Sequence, residues 1–175
     1  VHEDKNVDII VFSFFPDSSI YDFKYIKSEL VVQKVDLENR GIVEGIEVFF
    51  PGLFKQYLGY EKIQPILRFG RLSSLPEERI HIKEEDVEIE GNFYLIECTS
   101  FSGNSGSPVF FKINKPGGFS LFLGGLITAS FHENKPLGSD AILIQNTGVA
   151  LVTPSYRLTE ILYSRKVLAD RQKMI

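Results

Sequence analysis

Over most of the chain, apolar residues fall in short runs bounded by Gly, Pro, Ser and Asn rather than at helical intervals. Asp8-Ile9-Ile10-Val11-Phe12-Ser13-Phe14 is β-branched and aromatic and stops at Pro16, which predicts a buried strand with a carboxylate at its entrance. Residues 16–40 are polar and mixed, and the alternation around Leu30-Val31-Val32-Gln33-Lys34-Val35 predicts one edge strand inside a connecting segment. A half-buried strand is expected over 42–50, closed by a Pro51-Gly52 turn, and further strands over 65–71, 92–98, 108–111, 119–130 and 148–152. The charged stretch 76–88 reads as a surface loop between them.

From Ile42 onward this makes six strands with no helix between them, the pattern of an antiparallel barrel or sandwich. The end differs. Thr153-Pro154-Ser155 offers a cap and a helix-starting proline, and Leu158, Ile161, Leu162 and Tyr163 recur at helical spacing, so one amphipathic helix is expected over 154–168.

Composition narrows the function classes. Of 175 residues, 43% are hydrophobic and 24% charged, as in ordinary globular domains, and the aromatic share is 15 Phe and 7 Tyr without Trp. The net charge of −4, without a basic stripe, argues against a nucleic-acid partner. The single cysteine, Cys98, allows no internal disulfide, and its place inside a predicted strand suits a packed thiol better than a nucleophile. No apolar run reaches the ~18 residues of a membrane span. No spaced His/Cys/Asp cluster has metal-ligand form and no Gly-rich phosphate loop occurs, so neither metal nor cofactor is implied.

The sharpest local feature is Gly103-Asn104-Ser105-Gly106-Ser107-Pro108, a short loop between two predicted strands. A nucleophilic serine needs an exposed hydroxyl and backbone N–H groups aimed where negative charge develops on a carbonyl substrate. Glycine at position 103 opens backbone angles that let the N–H groups of Gly103 and Ser105 converge, and Pro108 fixes the exit into the next strand. The α/β-hydrolase elbow fits less well, because Ser107 stands where that motif needs glycine.

The segment 103–110 resembles the nucleophile loop of trypsin-like serine peptidases, in the form common among bacterial HtrA-like and glutamyl-endopeptidase-like branches. Three further segments occur in the family's order. Val7-Asp8-Ile9-Ile10-Val11 is similar to the strand bearing the triad Asp, Gly124-Gly125-Leu126-Ile127-Thr128 to the substrate-pairing strand, and Gly148-Val149-Ala150 with the terminal helix to the family's last barrel strand and closing helix. The resemblance implies an all-β, double-barrel fold: residues 1–40 would hold the last strand of an N-terminal barrel and a linker, 41–153 a six-stranded C-terminal barrel, and 154–175 a helix and tail. It implies Ser105 as nucleophile, Asp8 as the acid orienting a histidine, and the amides of Gly103 and Ser105 as oxyanion donors. Thr99, six residues before the nucleophile, would form the base of the primary pocket, with Thr128, Ala129, Ser130, Gly148 and Ala150 as its walls. Thr99 carries no carboxylate for a Lys or Arg side chain, and Ile127 stands where glutamyl endopeptidases place a histidine, so an uncharged or apolar substrate residue is expected. Asn104, where many zymogens carry an Asp, offers no charge to an amino terminus such as that of Val1.

The departure from the family is the base. The triad runs His, Asp, Ser along the chain, and only seven residues precede Asp8. His2 is too close to Asp8 to sit on a separate strand, His81 reads as a solvated residue in the charged loop, and His132, which follows the substrate-side strand, reads as a surface-turn residue near Asn134 and Pro136 or as part of a specificity pocket. The His-bearing strands are therefore expected upstream, in a longer polypeptide, and this stretch alone is not expected to cut peptides. The implied partners are a protein or peptide substrate and that upstream barrel segment. The alternative is an inactive pseudopeptidase that binds a peptide by strand addition along 126–130.

Overall fold

The computed structural model describes residues 1–54, 59–61, 63–84, 87–99, 103–137 and 141–173. Among these described residues eight strands occur: β1 (Glu47–Gly52), β2 (Ile66–Ser74), β3 (Ile80–Glu84), β4 (Val87–Gly91), β5 (Tyr94–Cys98), β6 (Pro108–Lys115), β7 (Gly118–Leu137) and β8 (Ala141–Pro154). Six of them close a barrel in the order β1-β2-β5-β8-β7-β6, every neighbouring pair antiparallel. β1, β2 and β5 succeed one another around the wall, and β6 returns to lie beside β1, a Greek-key path. The six barrel strands are those the apolar runs predict.

Alternation places the core. β1 buries Val48, Phe50 and Gly52 in turn, β5 buries Tyr94, Ile96 and Cys98, and β6 buries Val109 and Phe111. Together with Leu72, Ile127, Ala150 and Val152 these side chains fill the barrel, and Val32 and Ile42 from the preceding segment join them. Burial of this kind, about 1.5–3 kcal/mol for each large side chain, is what holds the wall closed.

Several sequence expectations give way to tertiary context. Residues 7–16 form no strand, and among the described residues no barrel strand pairs with them. It runs as a strap instead: Val7 and Ile9 are buried against Ile161, with Val11, Leu126, Leu158 and Val167 around them, while Asp8 and Ile10 face outward. The 30–35 edge strand reduces to one parallel bridge, Val31 with Leu123, before the short helix α1 (Asp36–Asn39). β1 starts only after Gly45, whose φ of +89° turns the chain. Pro51 and Gly52 do not turn but pair with Leu67 and Ile66; Pro51 lies past the last β6 partner, where its missing N–H leaves no gap in that ladder. The charged stretch 76–88 contributes β3 and part of β4, which pair as a separate two-stranded sheet. The single terminal helix is two, α2 (Ser155–Leu162) and α3 (Arg165–Gln172), because the Ser164 hydroxyl accepts a hydrogen bond from the Val167 N–H and caps a new start. Among the described residues no helix is long and apolar enough to cross a membrane.

Candidate active site

Just before β6 begins, Ser105 is exposed and Asn104 beside it is only 1% exposed. The alternation of one side chain out and the next one in is made possible by the glycines on either side: Gly103 has φ +99° and Gly106 φ +83°, angles that side chains rarely adopt. The Ser107 N–H donates to the Asn104 carbonyl at 3.0 Å, closing the turn around Ser105. Gly106 N–H then donates to Ile127 O at 2.8 Å, and Ile127 N–H donates back to Ser107 O at 2.9 Å. The exit of the loop is thus stitched to β7.

The Ser105 hydroxyl donates to the Thr128 carbonyl at 3.3 Å. That carbonyl is turned toward the loop by a β-bulge: Ile127 pairs with Val152 and Ala129 with the next residue back, Leu151, so Thr128 is the extra residue on β7. A second register shift occurs between Ser130 and His132, where the Phe131 carbonyl accepts from the Thr147 hydroxyl. Pairing of β6 with β7 ends at Pro108 with Leu126, while β7 runs on to Leu137 paired, among the described residues, with β8 alone. A one-sided strand edge therefore begins beside Ser105.

The residues expected around the nucleophile divide into two groups. Thr128, Ala129 and Ser130 are half-buried on β7 next to the loop, Thr128 sharing a hydrogen bond with the Thr153 hydroxyl. Thr99 is exposed at the exit of β5, and its carbonyl accepts from Arg68 Nη1 at 3.4 Å. Gly148, at φ +82°, lies on β8 with its N–H held by Asn146 Oδ1 at 2.7 Å, and the place of its missing side chain faces the Cys98 carbonyl. Ala150 is different: it is fully buried in the barrel interior, opposite Ile96 and Ser130. Residues 100–102 lie outside the described residues.

Asp8 is exposed on the strap between buried Val7 and Ile9, and no hydrogen bond or ion pair joins it to Ser105 or to a histidine. The strap nevertheless packs on Leu126, the β7 residue next to the loop's partner Ile127. None of the three histidines is bonded to Ser105. His2 accepts the Asp4 N–H at Nδ1 and bonds Glu160 through Nε2 at 2.6 Å, which fastens the start of the strap to α2. His81 is not in a loop but on β3, exposed, 3.8 Å from Glu90. His132, expected in a surface turn, stands exposed within β7 opposite Asn146. Cys98 is buried in β5, and burial pushes its thiol up to about 11 even though Arg68 nearby pulls the other way.

Pattern reasoning passed over the bulge at Thr128 and the cation at Arg68. A bulge is a mismatch of register between two paired strands and leaves no mark in either. Arg68 did leave one, an Arg in phase with the inward positions Gly70 and Leu72 of its own strand. No family model, no curated protein and no solved structure matches this chain.

Proposed function

We propose that this chain carries the nucleophile half of a serine endopeptidase of trypsin-like kind, with Ser105 as the attacking residue. One observation carries the reading: an exposed serine on a glycine-hinged turn stands beside the one-sided edge of β7, with its hydroxyl within hydrogen-bond reach of the bulged Thr128 carbonyl. A peptide added to that edge brings its backbone carbonyls alongside the loop, because strand addition fixes the substrate by main-chain hydrogen bonds. Ser105 Oγ then attacks the scissile carbonyl, its proton passing to an imidazole, and the Gly103 and Ser105 N–H groups receive the oxyanion. Such donors are worth roughly 10²–10³-fold in rate. The acyl-enzyme forms as the amine departs with that proton, and water completes the cycle.

The base is proposed to come from strands preceding residue 1 in a longer polypeptide, with Asp8 orienting it. In support, His2 is committed to Glu160, and the outward face of the strap holds Ile10 (70% exposed) and Phe12 (75% exposed) beside Asp8. An apolar row of that kind suits packing against a further sheet.

The test is covalent labelling of the longest natural polypeptide containing this chain with a serine-directed phosphonate. The expected result is a single adduct mapped to Ser105 by peptide mass spectrometry, absent in Ser105→Ala. A folded protein that takes up no adduct discards the enzyme reading. It would favour a peptide-binding pseudopeptidase, a second reading that the lack of any histidine bonded to Ser105 supports among the described residues.

A further inference from the structure

Arg68 is an inward-facing cation at the mouth of the barrel. On β2, Leu67, Phe69 and Arg71 point outward while Arg68, Gly70 and Leu72 point in, and the Arg68 Nε and Nη2 atoms are buried. Charge in such a place is costly to desolvate and persists where hydrogen-bond acceptors surround it. Here its surroundings are the two ends of the Ser105 loop. Nη1 donates to the carbonyl of Thr99, where the chain leaves β5. At the other end, the Asn104 carboxamide and the guanidinium meet over Gly52: a methyl group built on Gly52 would lie 2.5 Å from Asn104 Oδ1 and 3.5 Å from Arg68 Nε. Gly52 is thus the space into which the Asn104 side chain is inserted. The next inward position of β2, Gly70, pairs with Cys98, the last residue of β5.

We propose that Arg68 is a positioning residue for the nucleophile loop, its guanidinium holding the Thr99 carbonyl at one end and underlying the buried Asn104 side chain at the other, so that the Gly103 and Ser105 amides are held in one orientation. The inference rests on the reading of Ser105 as a nucleophile. The planar fork matters as well as the charge: an ammonium presents its donors from a single point on a flexible stem, whereas a guanidinium presents them in a rigid plane.

The test compares wild type, Arg68→Ala and Arg68→Lys in the full-length polypeptide, with Arg71→Ala on the outward face of the same strand as control. Two quantities are read: the phosphonate labelling constants, and hydrogen exchange at the Gly106 and Ser107 amides. Arg68→Ala is expected to lower the maximal labelling rate by about 10–100-fold, the scale on which a 1 Å misplacement acts. Its thermal melt should still show a folded protein at the labelling temperature, its half-saturating phosphonate concentration should change less than its maximal rate, and added guanidinium ion should restore part of the rate. Arg68→Lys, which keeps the charge and is the safeguard should the alanine variant not fold, is expected to lose an intermediate part. Both variants should exchange the two loop amides faster than Arg71→Ala. Labelling of Arg68→Ala and Arg68→Lys at the wild-type rate overturns the inference and leaves Ser105 as nucleophile. If wild type does not label, the peptidase reading fails by itself, and exchange decides: unchanged loop amides in the Arg68 variants overturn the positioning role, while faster exchange in a folded variant upholds it.

Discussion

The Ser105 hydroxyl and the Thr128 carbonyl lie 3.3 Å apart, and the bond between them joins the loop before β6 to β7 across 23 residues of chain. It exists because Thr128 is the extra residue of a bulge, so its carbonyl is turned from the ladder toward the loop. A long bond at an exposed position contributes little to stability. Ser105→Ala should therefore shift the unfolding free energy in urea by no more than about 0.5 kcal/mol while removing the phosphonate adduct completely. A large loss of stability would show that the side chain supports the fold instead.

Gly124 and Gly125 read as part of the resemblance, and the structure gives each a packing reason. A methyl group on Gly124 would lie 2.4 Å from the Phe111 ring, and one on Gly125 2.3 Å from the Thr153 carbonyl. Phe111 is fully buried and cannot withdraw without disturbing the barrel interior. Gly124→Ala is expected to cost about 1–3 kcal/mol, the usual range for overpacking a core. Gly125→Ala, where the obstacle is backbone, should cost at least as much. Chemical denaturation of the two variants beside wild type measures both.

Asp36 gives the fold an acid-sensitive hinge. Burial by itself would raise its pKa, but the Gln33 N–H at 2.8 Å and Arg40 Nε at 2.8 Å outweigh it and hold the carboxyl below its ordinary value. The folded state therefore favours the ionised form. Its contribution is fully present above the unfolded value near 3.9 and is lost as the pH falls through the lower folded value. Asp36→Asn should lower stability at pH 7 by about 1–2 kcal/mol and flatten the decline of stability below pH 4. Equal acid sensitivity in wild type and variant would contradict this.

Cys98 should be silent to thiol reagents in the native protein. Its thiol is buried and pushed up to about 11, so thiolate is scarce at pH 8 and access is blocked as well. A disulfide reagent added at pH 8 should react at least about a hundredfold more slowly with folded than with urea-unfolded protein. Rapid reaction of the native protein would mean that β5 opens far more often than the barrel core allows.

How much of this was readable along the chain can be traced residue by residue. The buried set Val48, Phe50, Ile96, Val109, Phe111 and Val152 lies on the strands that alternation marked. The turn at Ser105 was legible too, since glycines at 103 and 106 announce angles that both positions adopt. The strap failed as a strand for a different reason. Its Val-Asp-Ile-Ile-Val pattern satisfies every local rule, and Val7 and Ile9 do alternate into a core, but they pack on the side chains of α2 and Leu126 and the stretch joins no sheet. At Ile80–Glu84 the reverse happened: charge hid a strand whose register needed only its hairpin partner.

The amino-acid order alone settled the number of barrel strands, the faces they bury and the place of the one glycine-hinged serine, because side-chain alternation and turn geometry act between near neighbours. Only closure of the barrel decided that Thr128 would bulge toward Ser105, that Arg68 and Asn104 would meet over Gly52, and that His2 would reach Glu160 instead of the serine loop. Those are encounters between segments tens of residues apart, governed by strand register and the space left inside a packed wall, and neither quantity is written in any short stretch of chain.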